Sequence, residues 1–179
     1  MILAVDVETT GLLLPCCVPI ANQPRIIEYA ALLFDETTGK VARNASGYVN
    51  PVVSIPRNIT ELTGITNADV QGADEWDGHI PFISAIAPEA DCIIAHNAAF
   101  DRDVIQLNCE RYETPNPLAE KHWICTMQET QWIRGKGIKM KEVYSDILGA
   151  TLEQTHRAED DVRALIRIAV ELDKMGSLK

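Results

Sequence analysis

The sequence predicts an α/β fold: a mixed sheet with helices packed on it. Three observations lead there. Short apolar runs come first as a meander, over residues 2–5, 26–34 and 41–49. Beyond residue 56, stretches of helical character alternate with two more short apolar runs, at 91–95 and Ile124-Cys125. The chain then closes on an amphipathic stretch over 157–175, with Ala158, Val162, Leu165, Ile166, Ala169 and Leu172 at helical spacing. Strands first in sequence and then alternating with helices suit one mixed sheet covered by helices.

Taken in order, residues 1–7 are a short buried strand, with Ile2-Leu3-Ala4-Val5 as its apolar part, that ends in an acid. Gly11, Pro15, Pro19 and Pro24 mark 11–24 as a loop. The apolar run 26–34 is a second strand, and the turn Thr38-Gly39-Lys40 returns the chain as a third over 41–49. Residues 56–62 form a short helix stopped by Gly64, and Asn67 is placed to cap another. Ile80, Ile83 and Ala87 share a helical face over 77–87. Residues 91–95 are a buried strand, 101–112 a helix broken after it by Pro115 and Pro117, and Ile124-Cys125 a fifth strand. Helices over 127–133 and 141–148 precede the long last one, for which Thr155 is a candidate cap.

The 179 residues, 46% apolar and 23% charged, suit one domain over 1–179. The start of the chain has no basic region and meets an acid at Asp6, unlike a signal peptide. No apolar run approaches the roughly 20 residues that span a bilayer, so no membrane role is expected. The five cysteines are odd in number and form no Cys-x-x-Cys pair, which reads as reduced thiols in a cytoplasmic protein without structural zinc. The net charge of −10 argues against tight non-specific binding to long duplexes. It is compatible with an enzyme whose uncompensated acids hold cations and which grips only the end of a strand.

Three blocks concentrate the chemistry. Asp6 and Glu8, two apart at the end of the first strand, face the same side about 7 Å apart, so both can reach one metal cluster. The following Thr9-Thr10-Gly11 lets the chain turn. Asp101 lies in the first helical turn after the strand mouth at His96-Asn97, where a helix dipole favours an anion and where sheets of this class bind ligands. Asp161 sits on the inward stripe of the last helix, whereas Asp160 shares the more solvated face of Arg167. A buried acid is costly unless paired or metal-bound. His156, five residues earlier, stands at the open end of that site, where an imidazole can take a proton from water. Each block alone has an ordinary alternative: a solvated strand end, a helix N-terminal acid, a surface histidine.

Together, in order and setting, the three blocks resemble the DEDD superfamily of 3′–5′ exonucleases. The branch is the one with a His-x-x-x-x-Asp third motif, DEDDh, to which the proofreading epsilon subunit of bacterial DNA polymerase III, ribonuclease T and oligoribonuclease belong. The likeness runs from Val5 to about Val170. It implies a ribonuclease H-like fold, a five-stranded mixed sheet flanked by helices. It implies that Asp6, Glu8, Asp101 and Asp161 bind two Mg²⁺ or Mn²⁺ ions, that His156 is the general base, and that nucleoside 5′-monophosphates leave stepwise from the 3′ end. Carried over in the same way, Thr9 approaches the terminal 3′-hydroxyl through its backbone, Ile65 in Thr63-Gly64-Ile65-Thr66 packs on the last base, and Asn97 and Phe100 line the groove beside the penultimate nucleotide. Ile65 and Phe100 are equally readable as core residues.

Single-stranded DNA ends are the expected substrate, since the Thr63–Thr66 segment leans toward the DNA proofreading group. RNA is the alternative. A DNA polymerase partner and a homodimer are both in keeping with the family. The chain ends just after its last helix, which favours a stand-alone exonuclease or a separately encoded proofreader. A basic cluster at Arg134, Lys136, Lys139 and Lys141 beside Trp132 suits either a strand-tracking surface or a solvated glycine-rich loop. The apolar segment Leu12–Asn22 is longer than a turn needs and suits a flap or partner patch. The rival from another class is a non-catalytic nuclease-like subunit of a replication complex, which the complete set of acids plus His156 disfavours.

Overall fold

The apolar runs pair as one mixed sheet in the computed structural model, which describes residues 1–178. Strand order is β3-β2-β1-β4-β5. The central strand β1 (Ile2–Thr9) pairs antiparallel with β2 (Ile26–Phe34) and parallel with β4 (Cys92–Ala95). β3 (Val41–Tyr48) flanks β2 antiparallel, and β5 (His122–Cys125) flanks β4 in parallel. Every residue of β2 is buried, which is why its sequence runs apolar without alternation.

Alternation along β1 sorts the two layers. Leu3, Val5 and Val7 face Trp76, Ile80 and Ile83 of α3 (Trp76–Ile86) and Val104, Ile105 and Cys109 of α4 (Ala98–Arg111). Ile2 and Ala4 face Val162, Leu165, Ile166 and Ala169 of α8 (Ala158–Lys174). Burying each large aliphatic side chain here contributes about 1.5–3 kcal/mol. Asp6 and Glu8 continue the second row, so the face that is apolar under the body of α8 turns acidic beside its first turn.

The smaller helices close the flanks. α1 (Arg57–Thr63) ends at Gly64, whose φ of 74° is the left-handed stop the sequence signals. α2 (Asn67–Val70) packs Val70 with Ile27, Ile55 and Ile65. α5 (Thr126–Glu129), α6 (Gln131–Arg134) and α7 (Met140–Leu148) cover the remaining side of α8. The segment 11–24 is pinned: Arg111 Nη2 donates to the Ile20 and Gln23 carbonyls at 2.7 and 2.9 Å.

Four local expectations change. β1 runs on to Thr9, so both acids lie within the ladder rather than at its end. The helix expected over 127–133 is two, broken at Thr130, whose hydroxyl donates to the Thr126 carbonyl at 2.6 Å. Thr66, not Asn67, caps α2, through a box with Asp69; Asn67 Oδ1 instead accepts the Ile55 amide at 2.8 Å. Thr155 does not cap α8, because its hydroxyl is given to Asp160 at 2.9 Å. The Ala158 amide is satisfied from across the sheet, by Glu28 Oε2 at 3.0 Å.

Candidate active site

β4 stops at Ala95, short of the far end of β1, and Asn97 turns the chain into α4 with a φ of 69°. The edge of β1 beyond Ala4 is thereby open to α4, and the Asp101 carboxylate accepts the Val7 amide at 3.2 Å. From the other layer α8 brings Asp161, held by Gln154 Nε2 at 3.2 Å. His156 enters with a φ of 51°, a left-handed conformation uncommon for a residue other than glycine. One ligand atom each from Glu8, His156 and Asp161 lie within 4.8 Å of one another. Asp6, Glu8, Asp101, His156 and Asp161 all line one cleft of about 520 Å³.

Electrostatics mark this cleft as a cluster of acids whose charged forms are disfavoured by burial and by one another. Asp101 is 2% exposed and Asp161 4%. Burial pushes Asp101 up to about 8, against the stabilising backbone amides of Val7 and of Asp101 itself. Burial first, then the charges of Asp161, Glu28 and Asp101, push Glu8 up to about 8. Asp6 is raised well above the usual carboxylate range, by burial and then by Asp101, Glu8 and Asp161. Burial raises Asp161 as well. Among the described residues none of the four makes an ion pair with lysine or arginine. Clustered carboxylate oxygens short of positive charge are the donor set of a hard divalent cation, so the residues fit the ions that the motif implies.

Phe100 lines the same cleft. Thr9 and Asn97 do not: Thr9 is buried with its hydroxyl on the Gly11 carbonyl at 2.7 Å, and Asn97 is exposed where it turns the chain. Ile65 is a correction. It is 1% exposed in the cluster with Ile27, Ile55 and Val70, so it has no surface to offer a base. Leu62, three residues earlier and 53% exposed, occupies the cleft wall instead. Lys139 and Lys141 also line the cleft, whereas Arg134 is turned to Asp146 by two hydrogen bonds of 2.6 Å. His96, which lines it too, bonds the Thr126 hydroxyl and the Ile138 carbonyl at 3.0 Å each; burial lowers its pKa.

Sequence reasoning missed Leu62, Gln154 and Glu28. Leu62 was legible in principle, as the apolar residue of α1 that does not share the buried face of Thr63. Glu28 had one signal: it is the sole charged residue inside the apolar run of β2.

A family model described as exonuclease, of the ribonuclease T type, matches residues 3–169. A PolC-type DNA polymerase III of Clostridium perfringens is 32% identical over 167 residues, 91% of this chain. The 3′–5′ exonuclease DinG of Bacillus subtilis is 28% identical over 179 residues, 97% of this chain. The chain spans only 10% and 18% of these two relatives. Among solved structures, the nuclease domain of 3′hExo, a DEDDh family member bound to rAMP, superposes with a TM-score of 0.79 at 20% identity, covering 99% of this chain and 94% of that one. Exonuclease X in complex with 5′ overhanging duplex DNA superposes with a TM-score of 0.62 at 25% identity, covering 98% and 92%. The five-stranded mixed sheet flanked by helices is thus the ribonuclease H-like fold of these exonucleases, and the chain belongs to the exonuclease family whose model it matches.

Proposed function

We propose that this chain removes nucleoside 5′-monophosphates one at a time from the 3′ end of single-stranded DNA, with Asp6, Glu8, Asp101 and Asp161 holding two Mg²⁺ or Mn²⁺ ions. The observation that carries the reading is the convergence of four carboxylates and His156 in one cleft with no basic partner for the acids. The ions, when bound, supply Lewis-acid stabilisation of the phosphoryl oxygens and of the leaving 3′ oxygen.

The chain's own groups do the rest. His156 has no hydrogen-bond partner among the described residues, which leaves its imidazole free to take a proton from the attacking water. That water forms the new bond to phosphorus as the bond to the 3′ oxygen of the preceding nucleotide breaks. Leu62 and Phe100 offer apolar surface to the terminal bases. Lys139 and Lys141 face the cleft where a strand's phosphates would pass, and restore positive charge that a chain of net charge −10 otherwise lacks. DNA is favoured over RNA because the curated relatives include PolC-type DNA polymerases III, and a DNA polymerase is the partner this implies.

The test is digestion of 5′-labelled single-stranded DNA and RNA of one sequence with Mg²⁺ or Mn²⁺, beside Asp161→Ala and a chelator. A ladder shortening from the 3′ end of DNA, absent in both controls, is expected. Faster loss of RNA would move the substrate assignment. Intact strands of both kinds, with metal bound, would favour the non-catalytic subunit.

A further inference from the structure

Glu28 lies inside the sheet, opposite Glu8 in the β1–β2 register, yet both of its oxygens are occupied. Arg157 Nε lies 3.2 and 3.1 Å from the two oxygens, and Nη2 donates to Oε1 at 2.7 Å. The Ala158 amide donates to Oε2. The same Arg157 Nη2 donates to the Tyr48 hydroxyl at 2.7 Å, and the guanidinium lies 5.1 Å from the Tyr48 ring centre. One carboxylate therefore caps α8, neutralises an arginine and ties both to β2 and β3.

The residue immediately before this anchor is His156. On its other side Gln154 is tied to Asp161 and Thr155 to Asp160. Residues 154, 155, 157 and 158 are thus all fastened, while the imidazole between them is not. The positive φ at His156 is a conformation that costs free energy and persists only where neighbours impose it. Here the fastening on the C-terminal side comes from Glu28, 128 positions away in sequence.

We propose that Glu28 is a positioning residue for the exonuclease reaction: through Arg157 and the Ala158 amide it holds the backbone at His156 so that the imidazole meets the attacking water. The proposal rests on the exonuclease reading above. It differs from a purely structural role in what it says of catalysis: Glu28 acts through His156, so its contribution disappears when the imidazole is gone.

A double-mutant cycle tests this, with Glu28→Gln, His156→Ala and the pair measured at steady state on labelled single-stranded DNA with substrate in excess. Glutamine keeps the size and one acceptor but loses the charge that holds the guanidinium fork. Glu28→Gln is expected to lower kcat about 10–100-fold, the usual range for groups that orient another residue, with KM within about twofold. In the His156→Ala background it should lower kcat no further. Arg157→Lys, which keeps the charge and loses the fork, should reproduce the pattern and serves if Glu28→Gln does not fold. Additive losses, or an unchanged kcat in a folded Glu28→Gln enzyme, would overturn the brace alone. A wild-type protein that leaves DNA and RNA intact with metal bound would overturn the exonuclease reading and the brace together.

Discussion

Glu8 and Glu28 face each other across β1 and β2, carry the same side chain and lie on the same face of the sheet. Their surroundings are opposite. Glu28 is met by Arg157 on both oxygens and by the Ala158 amide. Glu8 is met by further acids, and burial with those charges holds it near 8. The difference teaches where function resides in this fold. A buried carboxylate with its own arginine is part of the protein's internal economy. A half-buried carboxylate surrounded by carboxylates has no such partner within the described residues and is open to a cation from outside.

The largest expected effect removes the uncompensated charge itself. Asp6→Asn keeps the shape and deletes one anion from the cluster. Digestion should slow about 10³-fold, corresponding to about 4 kcal/mol of lost transition-state stabilisation. The same variant in chelator at pH 8 should melt higher than the wild type, because one repulsive, desolvated charge is gone. Activity within tenfold of wild type, or a lower melting point in chelator, would erase the distinction between Glu8's neighbourhood and Glu28's.

Glu28→Ala should move stability the other way. Removing one partner of a buried pair leaves the other charge uncompensated, which costs about 3–5 kcal/mol when both are sealed from water. Arg157 retains partial access to solvent, so about 2–3 kcal/mol is expected, a fall in melting temperature of about 5–10 °C. A rise would mean that Glu28, like Glu8, is held against its preference.

The pH dependence sharpens the contrast with a smaller signal. Glu8 and Asp101 titrate near 8 in the folded chain and near the usual carboxylate value of about 4 when unfolded. Between those limits the folded state binds more protons than the unfolded state, so stability is full below about pH 4 and is lost as pH rises toward 8. In chelator the melting temperature should therefore fall by several degrees from pH 5 to pH 8, and saturating Mg²⁺ or Mn²⁺ should restore it at pH 8. A melt that rises with pH in chelator would show that the acids have partners after all.

The same distinction explains what the sequence makes legible. β2 is readable to the residue because a strand buried on both faces needs nine apolar-leaning positions in a row. Asp6, Glu8, Asp101 and Asp161 are conspicuous because acids on inward-facing positions break the apolar pattern around them, and His156 because it stands five residues before Asp161. What stays hidden is settled between distant segments. The cap of α8 comes from Glu28 rather than from the nearby Thr155, and the split of the 127–133 helix follows a hydroxyl bond at Thr130. Neither leaves a local signature. Likeness leaves Ile65 open between a base contact and the core, and its burial is decided by Ile27 and Ile55, from β2 and the segment before α1.

The smallest expected effect carries the comparison from charged to apolar residues. Ile65 is satisfied, packed on every side, whereas Leu62 is left over, an aliphatic side chain standing in the cleft with no protein surface to cover it. By the logic that separates Glu28 from Glu8, Leu62 waits for a ligand. Leu62→Ala should leave the melting temperature nearly unchanged, as exposed substitutions do, within about 0.5 kcal/mol. It should raise KM for single-stranded DNA about fivefold, the loss of about 1 kcal/mol of apolar contact, with kcat intact, the mark of a contact made equally in the ground and transition states. A drop in melting temperature with unchanged KM would place Leu62 with Ile65 in the core, and would leave Phe100 as the apolar contact for the departing base.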